Sequence, residues 1–159
     1  MTIDGTGPSA LADRCRPREP RAVELDDNGL EVLGADECLQ LLEGAHLGRI
    51  AITSGALPSV LPVNFRLVDG NVLFRTSPGS KLEAATANAV VAFEVDDFDP
   101  VAHTGWSVMI TGIARAVDDP GGVAAGSIPR WAPGRDEHVV EVVPRMISGR
   151  RIVHRATVG

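Results

Sequence analysis

Tyrosine is absent from the sequence, and all aromatic residues together make up only 4% of its 159 residues. A wide β-sandwich with a core of large aromatic rings is therefore disfavoured. Cysteine is scarce too: Cys15 and Cys38 have neither a signal peptide before them nor the spacing of metal ligands around them. We therefore expect a reduced, cytoplasmic protein, and no metal site.

Long apolar stretches and an excess of positive charge are also lacking. Glycine, proline, asparagine or a charged residue interrupts every apolar run before the roughly 18 residues that cross a bilayer. The 15 lysines and arginines are outnumbered by 21 aspartates and glutamates, which gives a formal net charge of −6. Such a charge repels a phosphate backbone, so we expect no nucleic-acid partner and no membrane association. An anionic ligand would need a local positive pocket.

The length of the chain favours a single domain with a sizeable core. Residues 1–30 mix proline, glycine and both signs of charge without a helical or strand period, which predicts a poorly ordered N-terminal arm. The folded domain is then expected over residues 31–159.

Two short helices are predicted within this domain. Asp36 is a candidate N-cap for a helix over about residues 36–44, which Gly44 or Gly48 would end. A second helical stripe covers about residues 80–88. Both segments lie between runs of β-type residues, so both helices should flank a sheet.

Most of the domain has the pattern of β-strands. Two such runs within residues 57–76 are joined by Asp69-Gly70, a strong hairpin signal. Because hairpins predominate over βαβ units, about six antiparallel strands in a small closed or nearly closed barrel fit the pattern best. Pro58 and Pro62 cannot donate ladder hydrogen bonds, so their strand should lie at an edge or carry a bulge.

The segment "TSPGSKLE" joins a predicted strand to the second predicted helix. Ser80 followed by Glu83 is a capping-box pattern, in which each side chain satisfies an amide at the helix start. Lys81 stands at the positive end of the helix dipole, where a cation is disfavoured unless an anion is bound. With Arg75 and Thr76 just before it, the loop is either a structural cap or a phosphate site.

The order "LPVNF", Asp-Gly hairpin, "VLFRTSPGSK", short helix, "AVVAFEVDD" and "GWSVMITGIARAV" resembles the pyridoxamine 5′-phosphate oxidase-like, FMN-binding split-barrel superfamily. The resemblance runs over about residues 36–155 and is strongest to small actinobacterial-type members without an assigned substrate. It implies a mainly β fold, an antiparallel six-stranded split β-barrel with Greek-key topology and short flanking helices. It also implies a homodimer that holds FMN between its two chains.

The resemblance further implies a set of cofactor-binding residues. The FMN phosphate would be held by the loop at Arg75, Thr76, Ser80 and Lys81. The isoalloxazine ring would be lined by Pro62, Val63, Asn64 and Phe65, and approached across the dimer interface by Trp106 and Ser107.

Two departures bear on the reaction. Val60 stands where the pyridoxamine phosphate oxidases proper carry an arginine, and "ISGRRIVHR" does not reproduce their C-terminal Arg-x-His motif. We therefore expect an FMN-dependent oxidoreductase acting on an unidentified small cytosolic molecule, without assigned catalytic residues, rather than a true pyridoxamine phosphate oxidase. The alternatives are a deazaflavin-dependent reductase of the same fold and a non-catalytic flavin or haem carrier or sensor.

Overall fold

The computed structural model describes residues 23–80, 82–83, 86–118, 126, 128 and 138–152. Their elements, in chain order, are β1 (Glu31–Leu33), α1 (Ala35–Gly44), β2 (Leu47–Ser54), β3 (Leu57–Val68), β4 (Asn71–Thr76), β5 (Ala89–Asp99), β6 (Thr104–Val117) and β7 (His138–Arg151). The predicted arm, residues 1–30, falls mostly outside the described residues.

The strands form one antiparallel sheet that closes on itself. Their order is β1-β7-β4-β3-β2-β5-β6, and an additional pairing of β6 with β7 completes a six-stranded barrel to which β1 is added. Strands β2 to β4 follow one another as hairpins, and Asp69 and Gly70 join β3 to β4 with positive φ angles of 51° and 79°. The predicted mainly β, antiparallel barrel is confirmed.

Alternation along the strands explains the core. Ile50 and Ile52 on β2, and Val108 and Ile110 on β6, point inward because residues two apart share one face of a strand. Three fully buried phenylalanines, Phe65, Phe74 and Phe93, fill the centre of the barrel. The rings of Phe65 and Phe93 meet edge to face with centroids 4.9 Å apart. Three of the four phenylalanines of the chain thus lie in one small core, whereas Phe98 is exposed.

Helix α1 covers one end of the barrel. It ends at Gly44, as predicted, but the prediction that Asp36 is its N-cap is wrong, because the cap is Gly34, which makes no side-chain hydrogen bond. Asp36 instead lies in the first turn, where a carboxylate interacts favourably with the helix dipole. Cys38 and Leu42 are fully buried against the barrel. Among the described residues, no helix has both the length and the apolar character needed to cross a membrane.

The second predicted helix falls partly on residues that the structure does not describe. Within its described part, the Thr86 amide donates to the Leu82 carbonyl at 3.0 Å, which closes one helical turn. Lys81 lies outside the described residues.

Strand β3 changes partners along its length. Its first part, from Leu57 to Asn64, pairs with β2, whereas only its last part, from Phe65 to Val68, pairs with β4. The prediction of an edge strand is therefore wrong for β3 as a whole, and its register with β2 runs through Pro62 without a bulge. Both prolines nevertheless lie in the part that pairs on one side only among the described residues, which is where a missing amide donor is tolerated.

Candidate functional site

The loop after β4 is organised by hydroxyl groups. The Thr76 side chain is buried, with 4% of its surface exposed, and its Oγ1 lies 2.7 Å from Ser80 Oγ. Ser80 Oγ also accepts the Glu83 amide hydrogen at 3.0 Å, and the Ser80 amide donates to the Ser77 carbonyl at 3.2 Å. The predicted capping role of Ser80 is confirmed. These contacts fix two hydroxyl oxygens side by side at the end of β4.

Glu83 completes the loop in a way that the capping-box pattern did not predict. Its Oε2 accepts the amide hydrogen of Gly79 at 2.5 Å, rather than that of Ser80, and its Oε1 contacts Nδ1 of His138. The Gly79 hydrogen bond and then the His138 contact lower the pKa of the Glu83 carboxyl below its usual range. An ionised carboxylate is therefore part of the loop.

His138 enters this cluster through the sheet. It is the first residue of β7 and pairs with Thr76 in the β4–β7 register. Sequence reasoning missed His138 because 55 residues separate it from Glu83 and no local pattern connects them.

The predicted ring-lining stretch alternates between two environments. Val63 and Phe65 belong to the barrel core, with 7% and 0% of their surfaces exposed, so their side chains do not face the surface. Pro62 is exposed and Asn64 is half-buried. Among the described residues, Asn64 Oδ1 is a buried acceptor without a hydrogen-bond partner.

Strands β3 and β4 separate next to Asn64, just before the loop that follows β4. The last pair of their register is Phe65 with Phe74, so Asn64 and Arg75 each stand one residue beyond the point where the strands part. Thr76 follows Arg75 and holds Ser80. The register thus places Asn64 and half-buried Arg75 next to the strand separation, and Thr76 and Ser80 follow in the loop after β4. We call the region of these four residues the β3/β4 split.

Trp106 and Ser107 are not part of this group. They pair with Arg151 and Arg150 near the end of β7, whereas the loop adjoins His138 at the start of the same 14-residue strand. Trp106 lines a cavity of about 220 Å³, together with Phe98, Arg151 and Ile152. This volume lies below the roughly 300–1,000 Å³ of typical small-molecule pockets. Within one chain, the predicted site residues therefore form two separate groups.

The two arginines beside this cavity are held by carboxylates. Arg150 Nε lies 2.8 Å from Asp26 Oδ2, and Arg151 lies 3.2 Å from Glu31 and 2.7 Å from Glu37. The Leu30 amide and Arg150 lower the pKa of the Asp26 carboxyl. These contacts tie β1, the turn before it and the first turn of α1 to β7, which is a structural role for both arginines.

The acidic stretch near the end of β5 is exposed. Asp96, Asp97 and Asp99 all lie on the surface, and Asp99 Oδ1 accepts the amide hydrogens of Val101 and Ala102. Across the residues that the structure describes, no group of three or more metal-binding side chains is found.

Comparison with known proteins identifies the family to which this barrel belongs. The family model for pyridoxamine 5′-phosphate oxidase matches residues 34–151. The chain belongs to the pyridoxamine 5′-phosphate oxidase family. The match spans every element from α1 to β7, and therefore both groups of predicted site residues.

Three known proteins are similar to this chain. The uncharacterized Mycobacterium tuberculosis protein Rv0080 is 39% identical over 148 residues, which cover 88% of this chain and 92% of that protein. The structure of a FAD binding protein from Mycobacterium smegmatis matches with a TM-score of 0.66 and 38% identity, over 77% of this chain and 99% of that one. A FAD-binding protein from Mesorhizobium loti shares the fold, with a TM-score of 0.67 and 23% identity over 78% and 99% of the two chains.

Proposed function

We propose that this chain binds a flavin nucleotide at the β3/β4 split and acts as a flavin-dependent oxidoreductase on an unidentified small molecule in the cytoplasm. The observation that carries the proposal is the buried Oδ1 of Asn64, which has no hydrogen-bond partner among the residues that the structure describes and lies one residue from the strand separation. The isoalloxazine ring carries an N–H group, which can donate a hydrogen bond to an acceptor of this kind. Membership of the pyridoxamine 5′-phosphate oxidase family and the 38% identity to a FAD binding protein support the same assignment.

The residues at the split suit both parts of a flavin nucleotide. The hydroxyls of Thr76 and Ser80 can donate to phosphate oxygens, and Arg75 supplies a positive charge beside them. Asn64 would orient the ring by its amide oxygen. When bound, the flavin supplies the electron-transfer chemistry, while these side chains provide binding and orientation. FMN is the nucleotide that the sequence favours, and FAD is the one named for the Mycobacterium smegmatis relative.

We assign the assembly as a homodimer on two grounds. Trp106 and Ser107 lie at the far end of β7 from the split, so they would complete the same flavin site only from a second chain. The outer face of β2, β3, β5 and β6 also carries exposed apolar side chains, among them Val60, Val90 and Met109 at 62%, 68% and 45% exposure. An apolar face of this kind is typical of a protein interface.

The test of phosphate recognition is a comparison of two ligands in two proteins. Riboflavin and FMN differ only by the phosphate, and Lys81 is the predicted phosphate ligand whose position lies outside the described residues. A charged hydrogen bond contributes roughly 1.5–3 kcal/mol, so Lys81→Ala should weaken FMN binding about ten- to a hundred-fold and leave riboflavin binding unchanged. If the affinity falls equally for both ligands, or for neither, Lys81 does not bind the phosphate.

A further inference from the structure

The carboxylate of Glu83 occupies a position that matters for any phosphate at the loop. Its Oε2 receives the Gly79 amide hydrogen, and its backbone amide donates to Ser80 Oγ. Ser80 Oγ in turn lies 2.7 Å from Thr76 Oγ1. Glu83 thus bonds Gly79 through its carboxylate and Ser80 through its backbone amide, which holds the carboxylate in the same loop as both hydroxyls of the proposed phosphate seat.

This carboxylate stays charged near neutral pH. The Gly79 amide and His138 both favour its ionised form and lower the pKa of the group. His138 also limits where the side chain can go, because it contacts Oε1 while Gly79 holds Oε2. A negative charge is thus fixed beside the seat, and its repulsion of a ligand grows with the charge on the nearest phosphate.

From this geometry we infer that Glu83 is a specificity-determining residue, which disfavours a terminal phosphate monoester, as in FMN, relative to a diphosphate diester, as in FAD. The inference rests on the proposed flavin site and adds the chemistry by which that site selects among nucleotides. A phosphate monoester carries a charge of about −1.5 to −2 at pH 7. Each phosphate of a diphosphate diester carries a single negative charge. Glu83 therefore repels the monoester more strongly.

The test is the ratio of FMN to FAD affinity in wild type and in Glu83→Gln. Glutamine removes the charge, keeps an acceptor for the Gly79 amide and places an NH2 group that can donate to His138 Nδ1, so the loop should keep its shape. Because solvent weakens the effect of an exposed charge, FMN affinity should rise by about two- to five-fold, FAD affinity should rise less, and riboflavin affinity should stay the same. The difference between FMN and FAD should shrink at high salt, because salt screens exposed charges.

The matched control is Glu43→Gln, which removes one exposed carboxylate on α1, away from the loop. It leaves the net charge equal to that of Glu83→Gln and should leave all three affinities at wild-type values. If both variants shift the three flavins equally, or if Glu83→Gln leaves the FMN to FAD ratio unchanged, the inference is wrong although the flavin site stands. If wild type binds none of the three flavins, the proposed function fails together with the inference.

Discussion

Asn64 is the residue at the β3/β4 split with the clearest need for a ligand. Burying an acceptor without a partner costs about 1–3 kcal/mol, and an apolar side chain of similar shape would avoid that cost. Its Oδ1 is buried without a hydrogen-bond partner among the described residues, and the residue lies one position beyond the point where β3 and β4 separate. A ligand that donates a hydrogen bond there accounts for an amide at this position.

Replacing Asn64 by leucine should separate binding from stability. We expect Asn64→Leu to weaken riboflavin, FMN and FAD by the same factor, about two- to ten-fold, because a neutral hydrogen bond contributes roughly 0.5–1.5 kcal/mol and this one would reach the shared ring. The free energy of unfolding of the ligand-free protein should stay the same or rise. Fluorescence titration and urea denaturation measure the two quantities. A loss confined to the phosphate-bearing flavins, or a less stable ligand-free protein, would contradict the role of Asn64.

Residue-level features could be predicted from the sequence where the interaction is local. Ser80 was identified as a cap because its partner, Glu83, is three residues away and the pattern repeats in many helices. The contact of Glu83 with His138 and the buried acceptor of Asn64 could not be predicted. The first depends on the pairing of β4 with β7, and the second on where β3 and β4 separate.

At the scale of elements, the long pairing of β6 with β7 closes the barrel. The two strands pair from Trp106–Arg151 to Val117–Val139, with one register shift between Thr111 and Gly112. A Cβ atom added to Gly112 would lie 2.4 Å from the Val143 carbonyl oxygen, a backbone atom that cannot move without disturbing the ladder. The absence of a side chain at Gly112 is therefore a requirement of the barrel closure.

Gly112→Ala should consequently destabilise the fold. Overpacking of this kind costs typically 1–3 kcal/mol, so we expect the free energy of unfolding in urea to fall by about that amount. Gly44→Ala is the matched control, because nothing lies within 4 Å of its added Cβ and alanine has the higher helix propensity. It should leave stability unchanged or raise it by up to about 1 kcal/mol. Equal stabilities of the two variants would show that the register shift adapts to a side chain.

The elements themselves were predicted with uneven success. The β3–β4 hairpin follows from Asp69-Gly70, whose conformational preferences act within two residues. Helix α1 ends at Gly44 as predicted, although its C-cap is Ala45 in an extended conformation and Gly44 does not adopt a positive φ. The start of α1 was misassigned because Asp36 favours both a cap and a first turn. Among the described residues, Pro58 and Pro62 correctly indicated that their half of β3 pairs on one side only, but they could not show that the other half pairs with β4.

At the scale of the whole molecule, one outer face of the barrel is apolar around an ion-pair network. Val60 and Ala92 both lie opposite Ala51 in the registers of β2, and Met109 lies opposite Glu94. Arg49 lies 3.3 Å from Glu94 and also contacts Asp96 on the same face. Exposed apolar residues on several neighbouring strands are expected to be buried by a second copy of the chain.

Val60→Lys tests this assembly. Val60 is 62% exposed, so the lysine should not disturb the fold, but a charge buried between two chains would disfavour the dimer. We expect light scattering to give a dimer for wild type and a larger monomer fraction for the variant, with weaker flavin binding. Val101→Lys is the control, because Val101 is 90% exposed in the turn between β5 and β6. A monomeric wild type that binds flavin tightly would contradict the shared site.

The barrel class followed from hairpin patterning, but the pairings of β7 with β4 and β1 join distant segments that no periodicity relates. Those pairings hold the loop after β4 against His138 and therefore define the proposed flavin site. The most direct test of that site is the visible absorption spectrum of the purified protein, followed by identification of the released cofactor by mass. We expect a flavin spectrum and the release of FMN or FAD. A protein that is colourless and stays so after incubation with both nucleotides, or one that shows a haem Soret band instead, would contradict it.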